Sequence, residues 1–111
     1  AGNKFLQDEY VVPEVTEALN FPNPFRLETG TILRYKLSKN MNIEIMVYDM
    51  LSNLIQSVEY EEGMPGGVKD YNRVMINQDS FDGKALSAGI YFYYIRHNGT
   101  MMAKGKLAIL P

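Results

Sequence analysis

Gly89-Ile90-Tyr91-Phe92-Tyr93-Tyr94-Ile95-Arg96 is the stretch whose reading decides the fold. Aromatic and β-branched residues fill it, and such side chains favour the pleated surface of a strand. Alternate residues of a strand face opposite sides. Tyr91 and Tyr93 are therefore expected in the core, and Phe92 and Tyr94 half-exposed. Gly83 and Gly89 punctuate the approach, and Asn98-Gly99 ends the run with a pair that tolerates the positive φ of a tight hairpin turn. Residues 100–110 read as a strand returning antiparallel. In it Met101, Ala103, Gly105, Leu107 and Ile109 alternate with Met102, Lys104, Lys106, Ala108 and Leu110. Two lysines mark one face as solvated, so the other is the buried one. This hairpin is the centre against which the upstream chain packs.

Outward from it, the same period recurs. In 31–37, Leu33, Tyr35 and Leu37 share one face while Arg34 and Lys36 take the other. In 42–49, Ile43, Ile45 and Val47 point one way and Asn42, Glu44, Met46 and Tyr48 the other. A poorer pattern covers 54–60, and 68–77 alternates with Val74 and Ile76 inward. Turn-forming residues separate these runs: Glu28-Thr29-Gly30, Ser38-Lys39-Asn40, Asp49 to Asn53, Glu61 to Gly67 and Asp79 to Gly83. Short strands at regular spacing predict an all-β domain, an antiparallel β-sandwich of about seven strands. Its core should hold Leu33, Tyr35, Ile43, Ile45, Val47, Val74, Ile76, Tyr91, Tyr93, Leu107 and Ile109.

Residues 1–17 read as an N-terminal linker or an extension of the first strand, and 18–111 as the sandwich. The domain opens on Asn20-Phe21-Pro22-Asn23-Pro24-Phe25. Two prolines fix φ there and remove backbone donors. A rigid segment with an apolar anchor at each end is expected to cap the sandwich through Phe21 and Phe25, both buried.

Composition sets bounds. The 111 residues suit one compact domain, and a net charge of −2 gives no electrostatic reason to expect nucleic acid or an anionic membrane as partner. There is no cysteine, which excludes disulfides and thiolate metal sites. No apolar run approaches membrane-spanning length, so no membrane insertion is expected. The first ten residues are too polar for a signal peptide. The chain therefore reads as a piece of something longer, with any targeting signal outside it.

Several segments together resemble one family. Asn20-Phe21-Pro22-Asn23-Pro24-Phe25 is similar to the Asn-Tyr-Pro-Asn-Pro-Phe opening of the C-terminal sorting domains of the bacterial type IX secretion system. Val47-Tyr48-Asp49-Met50-Leu51-Ser52-Asn53 resembles that family's Tyr-Asp-x-x-Gly turn, with Ser52-Asn53 where Gly is usual. Gly83-Lys84-Ala85-Leu86-Ser87-Ala88-Gly89-Ile90-Tyr91 resembles its Gly-x-x-Leu-x-x-Gly-Ile-Tyr segment. Lys104-Gly105-Lys106-Leu107-Ala108-Ile109-Leu110 resembles its basic-then-apolar last strand. The immunoglobulin-like domain of the flagellar hook-capping protein shares the later part of the pattern. Ile76-Asn77-Gln78 stands where many members carry Trp-Asp-Gly.

Candidate chemistry is sparse. His97 flanks the hairpin turn with no nucleophile and acid in reliable register, so it reads as a solvated loop histidine. Asn77, Asp79 and Asp82 bunch in one loop, but their spacing is not that of a calcium loop, and an Asx-type turn is the default. Glu59, Glu61 and Glu62 suit a solvated edge that discourages strand pairing. Gly63 to Gly67 lacks the Lys-Ser/Thr and the helix of a phosphate loop. The Tyr91 hydroxyl is expected to tie a corner. Asn98-Gly99-Thr100 matches a glycosylation sequon, though turn chemistry already explains it.

No cofactor, metal or catalytic residue is expected, and the domain is expected not to be an enzyme. The resemblance implies an immunoglobulin-like sorting domain that takes a cargo protein through the outer membrane to the cell surface. Its partners would be the outer-membrane secretion machinery and the upstream cargo of the same chain. Partner contact is assigned to Lys104, Lys106 and Leu110. The structural motif residues are Phe21, Pro22, Asn23, Pro24, Phe25, Gly89 and Tyr91. The alternatives are a structural spacer or assembly module of a surface or flagellar protein, and an accessory carbohydrate-binding module using the exposed aromatics.

Overall fold

The computed structural model describes residues 10–111. Eight strands follow one another: β1 (Val15–Phe21), β2 (Phe25–Arg26), β3 (Thr31–Leu37), β4 (Ile43–Tyr48), β5 (Leu54–Tyr60), β6 (Asp70–Ile76), β7 (Gly89–His97) and β8 (Thr100–Leu110). A short 3₁₀ turn, Gln78–Phe81, lies between β6 and β7. The strands form a three-stranded sheet in the order β1-β3-β6 and a five-stranded sheet in the order β2-β8-β7-β4-β5. The fold is an all-β, immunoglobulin-like sandwich. Every pairing is antiparallel except β2 with β8, which is parallel. The central hairpin is built as its sequence requires. Asn98 and Gly99 both adopt positive φ, 47° and 81°, so two residues join β7 to β8. β7 is the middle strand of the larger sheet.

Alternation places the core. Leu33, Tyr35 and Leu37 of β3, Ile43, Ile45 and Val47 of β4, Tyr91, Tyr93 and Ile95 of β7, and Leu107 and Ile109 of β8 belong to one buried cluster. Of the expected core only Val74 is not fully buried. It lies on β6, an edge strand, and lines a cleft between β5 and β6. Phe81, read from sequence as a loop residue, is buried because the 3₁₀ turn folds it into the seam between the sheets. Met46 faces outward as expected, yet it is buried. Tyr94 is its cross-strand neighbour, and the Tyr48 hydroxyl lies 4.0 Å from its sulfur.

The glycine-rich loop is held from inside. The Tyr35 hydroxyl donates to the Gly66 carbonyl at 2.6 Å, and burial pushes that phenol's pKa up. Buried Asn72 accepts from the Gly66 and Val68 amides and donates to the Val68 and Asp70 carbonyls. A buried amide with all these partners satisfied orders a loop instead of destabilising a core.

One expectation is overturned. Phe25 is 2 % exposed, but Phe21 is 74 % exposed. β1 runs on through Phe21, which pairs with Ile32. A bulge between Thr16 and Leu19, with Glu17 at positive φ, resets the alternation along β1. Phe21 therefore ends on the outside of the small sheet, and Phe25 alone caps the core. β1 also begins at Val15, within the segment 1–17, and Ser38 ties the chain just before it: its amide donates to the Glu14 carbonyl and its hydroxyl to the Val12 carbonyl. The rest of that segment, 1–9, lies outside the described residues.

Candidate partner-binding site

The outer face of the five-stranded sheet carries the residues that the fold does not use. β4, β7 and β8 lie side by side, so their outward residues form rows across the strands. Tyr48, Phe92 and Lys106 make one row. Met46, Tyr94 and Lys104 make the next, and Glu44, Arg96 and Met101 a third. Met101, expected on the buried face, is turned outward by the register shift between Ile95 and Arg96. The Tyr48 and Tyr94 rings meet edge to face, 5.3 Å between centroids. A shallow cleft of about 350 Å³ lies over this face, lined by Met46, Tyr48, Met50, Phe92, Tyr94 and Met101 among others. Phe92 and Tyr94 are half-exposed, as their alternation requires. The result is an aromatic and methionine surface bordered by Lys104 and Lys106. Both lysines are exposed, and neither side-chain ammonium makes a hydrogen bond or ion pair among the described residues. Leu110, exposed and paired with Arg26, is six residues along β8 from Lys104. At strand rise that is roughly 20 Å, and Leu110 lies roughly 13 Å beyond Lys106 on the same face of the strand.

Arg96 is different from the two lysines because it is neutralised. Its Nε donates to Glu44 Oε1 at 3.0 Å, and its Nη2 donates to the same oxygen. The Ser57 hydroxyl donates to Glu44 Oε2 at 2.6 Å. The Ser57 bond first, and then Arg96, hold the Glu44 carboxyl below the usual range. A carboxylate with a depressed folded pKa stabilises the fold above its ordinary pKa, and that contribution is lost as pH falls through the folded value. Thermal melts of wild type and Glu44→Gln, taken from neutral pH to about pH 3, should therefore converge at the acid end. A gap that is unchanged across that range would contradict the assignment.

The motif residues are brought together at the opposite edge of the sheet. The carboxamide of Asn23 clips the backbone of β8: its Nδ2 donates to the Lys106 carbonyl at 3.1 Å, and its Oδ1 accepts from the Ala108 amide at 2.9 Å. Phe25 and Arg26 then pair with Ile109 and Leu110, and Arg26 Nη1 donates to the Pro111 carbonyl at 2.7 Å. Pro22 and Pro24 follow cis peptide bonds and are exposed, and the Pro22 carbonyl accepts from the Thr31 hydroxyl at 2.7 Å. On the other side of β8, Gly89 of β7 lies opposite the same Ile109. Tyr91 donates its hydroxyl to the Ser87 carbonyl at 2.9 Å, tying the corner before β7.

The remaining candidates are local. The Asp49 carboxylate accepts from the Leu51 and Asn53 amides, each at 2.9 Å, and from the Asn53 side chain. These bonds hold its pKa low. They also account for the Tyr-Asp turn, in which Ser52, and not Asn53, takes the left-handed conformation. The Asn77 carboxamide accepts from the Asp79 amide and caps the 3₁₀ turn, while Asp82 accepts from Gln56 at 2.8 Å. No cluster of three or more metal-ligating residues occurs among the described residues. His97 has Nδ1 at 2.7 Å from the Asn42 carbonyl and Nε2 beside the Asn98 amide. The described residues include no helix long and apolar enough to cross a membrane.

No protein-family model matches the chain, and no curated protein matches it in sequence. Solved structures share its fold. A segment of dimeric latent PorU from Porphyromonas gingivalis superposes with a TM-score of 0.70 at 18% identity, covering 91% of this chain and 10% of PorU. The chain thus spans about a tenth of that protein's length. Part of the alkylpurine DNA glycosylase AlkC of Pseudomonas fluorescens, solved bound to DNA containing an abasic-site analogue, matches at 0.58 and 8% identity, covering 89% of this chain and 30% of AlkC. An immunoglobulin-like protein of Pseudomonas aeruginosa matches at 0.50 and 10% identity, over 93% of this chain and 94% of that one. At these identities the likeness is one of fold.

Proposed function

We propose that the chain is a non-catalytic sorting domain of the type IX secretion system, which directs an attached cargo protein through the outer membrane to the cell surface. One observation carries the reading. The Asn23-Pro24-Phe25 opening and the lysine-bearing last strand, the two ends of the sequence resemblance, interlock through the Asn23 clip and the Phe25–Ile109 pairing. The motif thus fixes β8 while leaving Lys104 and Lys106 free to meet the secretion machinery. The fold it shares with a tenth of PorU is consistent with such a module inside a longer protein. Recognition would work by shape and surface charge, with no bond chemistry on the domain itself.

The test is a fusion. A periplasmic reporter carrying this chain at its C-terminus is expected to reach the surface of a type IX-secreting host, and to stay in the periplasm of the same host with the translocon deleted. If the fusion stays inside while the host exports its own sorting domains, the reading fails and the spacer alternative takes its place.

A further inference from the structure

We propose that the open edge of β8, from Thr100 to Gly105, is a strand-addition site for an extended, acidic segment of a partner polypeptide. The proposal names a partner chemistry for the sorting surface described above and rests on that reading.

β8 has 11 residues and is the longest strand. β7 pairs with it along nearly its whole length; on its other side β2 pairs only at Ile109 and Leu110, and β1 passes close by without pairing to it. Asn23 covers the next groups, the Lys106 carbonyl and the Ala108 amide. Backbone groups alternate in direction along a strand, so the amide and carbonyl of Lys104 face the same side as those of Lys106. No described residue bonds them. The edge at the far side of the same sheet is treated differently. There Lys84 Nζ covers the Ile55 carbonyl at 2.7 Å, and Gln56 Oε1 covers the Ser57 amide at 3.0 Å. Two outward groups of the β5 edge are thus covered by side chains, whereas the Lys104 amide and carbonyl on the β8 edge are bonded by no described residue. An open edge is a template for another strand.

Charge selects the occupant. Lys104 and Lys106 stand on the outward side of this edge, two residues apart. An added strand with acidic residues at alternate positions would set its carboxylates beside them, and opposite charges on neighbouring strands attract. A second copy pairing antiparallel about Lys104 would bring two lysines face to face, which is repulsive.

The experiment uses the purified chain and a short peptide of alternating threonine and glutamate. Two further peptides serve as controls, one with lysine for glutamate and one N-methylated at the amides of its pairing edge. NMR titration is expected to show binding below about 1 mM, with slowed exchange of the Lys104 amide. The N-methylated peptide should bind at least about tenfold more weakly, because it keeps the charges but cannot pair. Lys104→Glu with Lys106→Glu should weaken the acidic peptide about tenfold and admit the lysine peptide. Equal binding of the N-methylated peptide, protection at β5 or β6 instead, or no binding at all would overturn the proposal. So would Lys104 protection that depends on protein concentration without peptide, which would assign the edge to a second copy. Peptide binding alongside failure of the reporter fusion would refute the sorting role alone. Export without peptide binding would refute the strand-addition site alone.

Discussion

Phe25→Ala is expected to destabilise the domain by about 3–5 kcal/mol, the cost of truncating a fully buried phenylalanine. For a domain of this size that lowers Tm by more than about 10 °C. Phe25 is 2 % exposed, and it joins the core cluster at the point where β2 pairs with the end of β8. Its loss opens a cavity and loosens the strand pair that anchors β8. Phe21→Ala is the internal control. That ring is 74 % exposed, so its removal should change stability by no more than about 0.5 kcal/mol. Denaturant melts of the two variants decide the matter. Equal losses would mean that both rings cap the core, which the geometry denies.

Gly105→Val should be the other severe change, at about 2–3 kcal/mol through overpacking. Gly105 lies directly across from Tyr93 in the central hairpin. A Cβ at this position would sit well inside contact distance of the Tyr93 ring, which is itself 2 % exposed and cannot swing away. Glycine at 105 is thus the seat of a buried tyrosine. The pair predicts a coupling: Tyr93→Leu combined with Gly105→Val should cost less than the sum of the two single changes. Strict additivity in a double-mutant cycle would show that the ring and the glycine do not compete for the same space.

The period-two pattern made most of the fold legible. Leu33, Tyr35, Ile43, Ile45, Val47, Tyr91, Tyr93, Leu107 and Ile109 face inward because each lies in a strand long and regular enough for alternation to hold. Reading failed where regularity breaks. Phe21 was placed inside because the spacing of two aromatics around two prolines says nothing of the bulge at Glu17, which turns the strand over. Phe81 was missed because a 3₁₀ turn buries one side chain with no period to reveal it. Buried Asn72 gave no signal, since its value lies in loop amides that only the folded chain brings near. In the candidate site, the exposure of Lys104 and Lys106 was readable from alternation alone. The patch of Tyr48, Phe92, Tyr94 and Met46 beside them was not, because it depends on which strands are neighbours. The Asn23 clip was equally out of reach: its partners lie 83 and 85 residues away.

The most direct measurement is the secreted fraction of a reporter fused to the Lys104→Glu, Lys106→Glu variant. Both side chains are exposed and bear no part of the core, so the variant should melt within a few degrees of wild type, each exposed charge being worth only about 0.5 kcal/mol. In a type IX-secreting host the account predicts that this folded variant leaves its reporter in the periplasm, while the wild-type fusion reaches the surface. Export of the charge-reversed fusion at the wild-type level would contradict the assignment of recognition to this face.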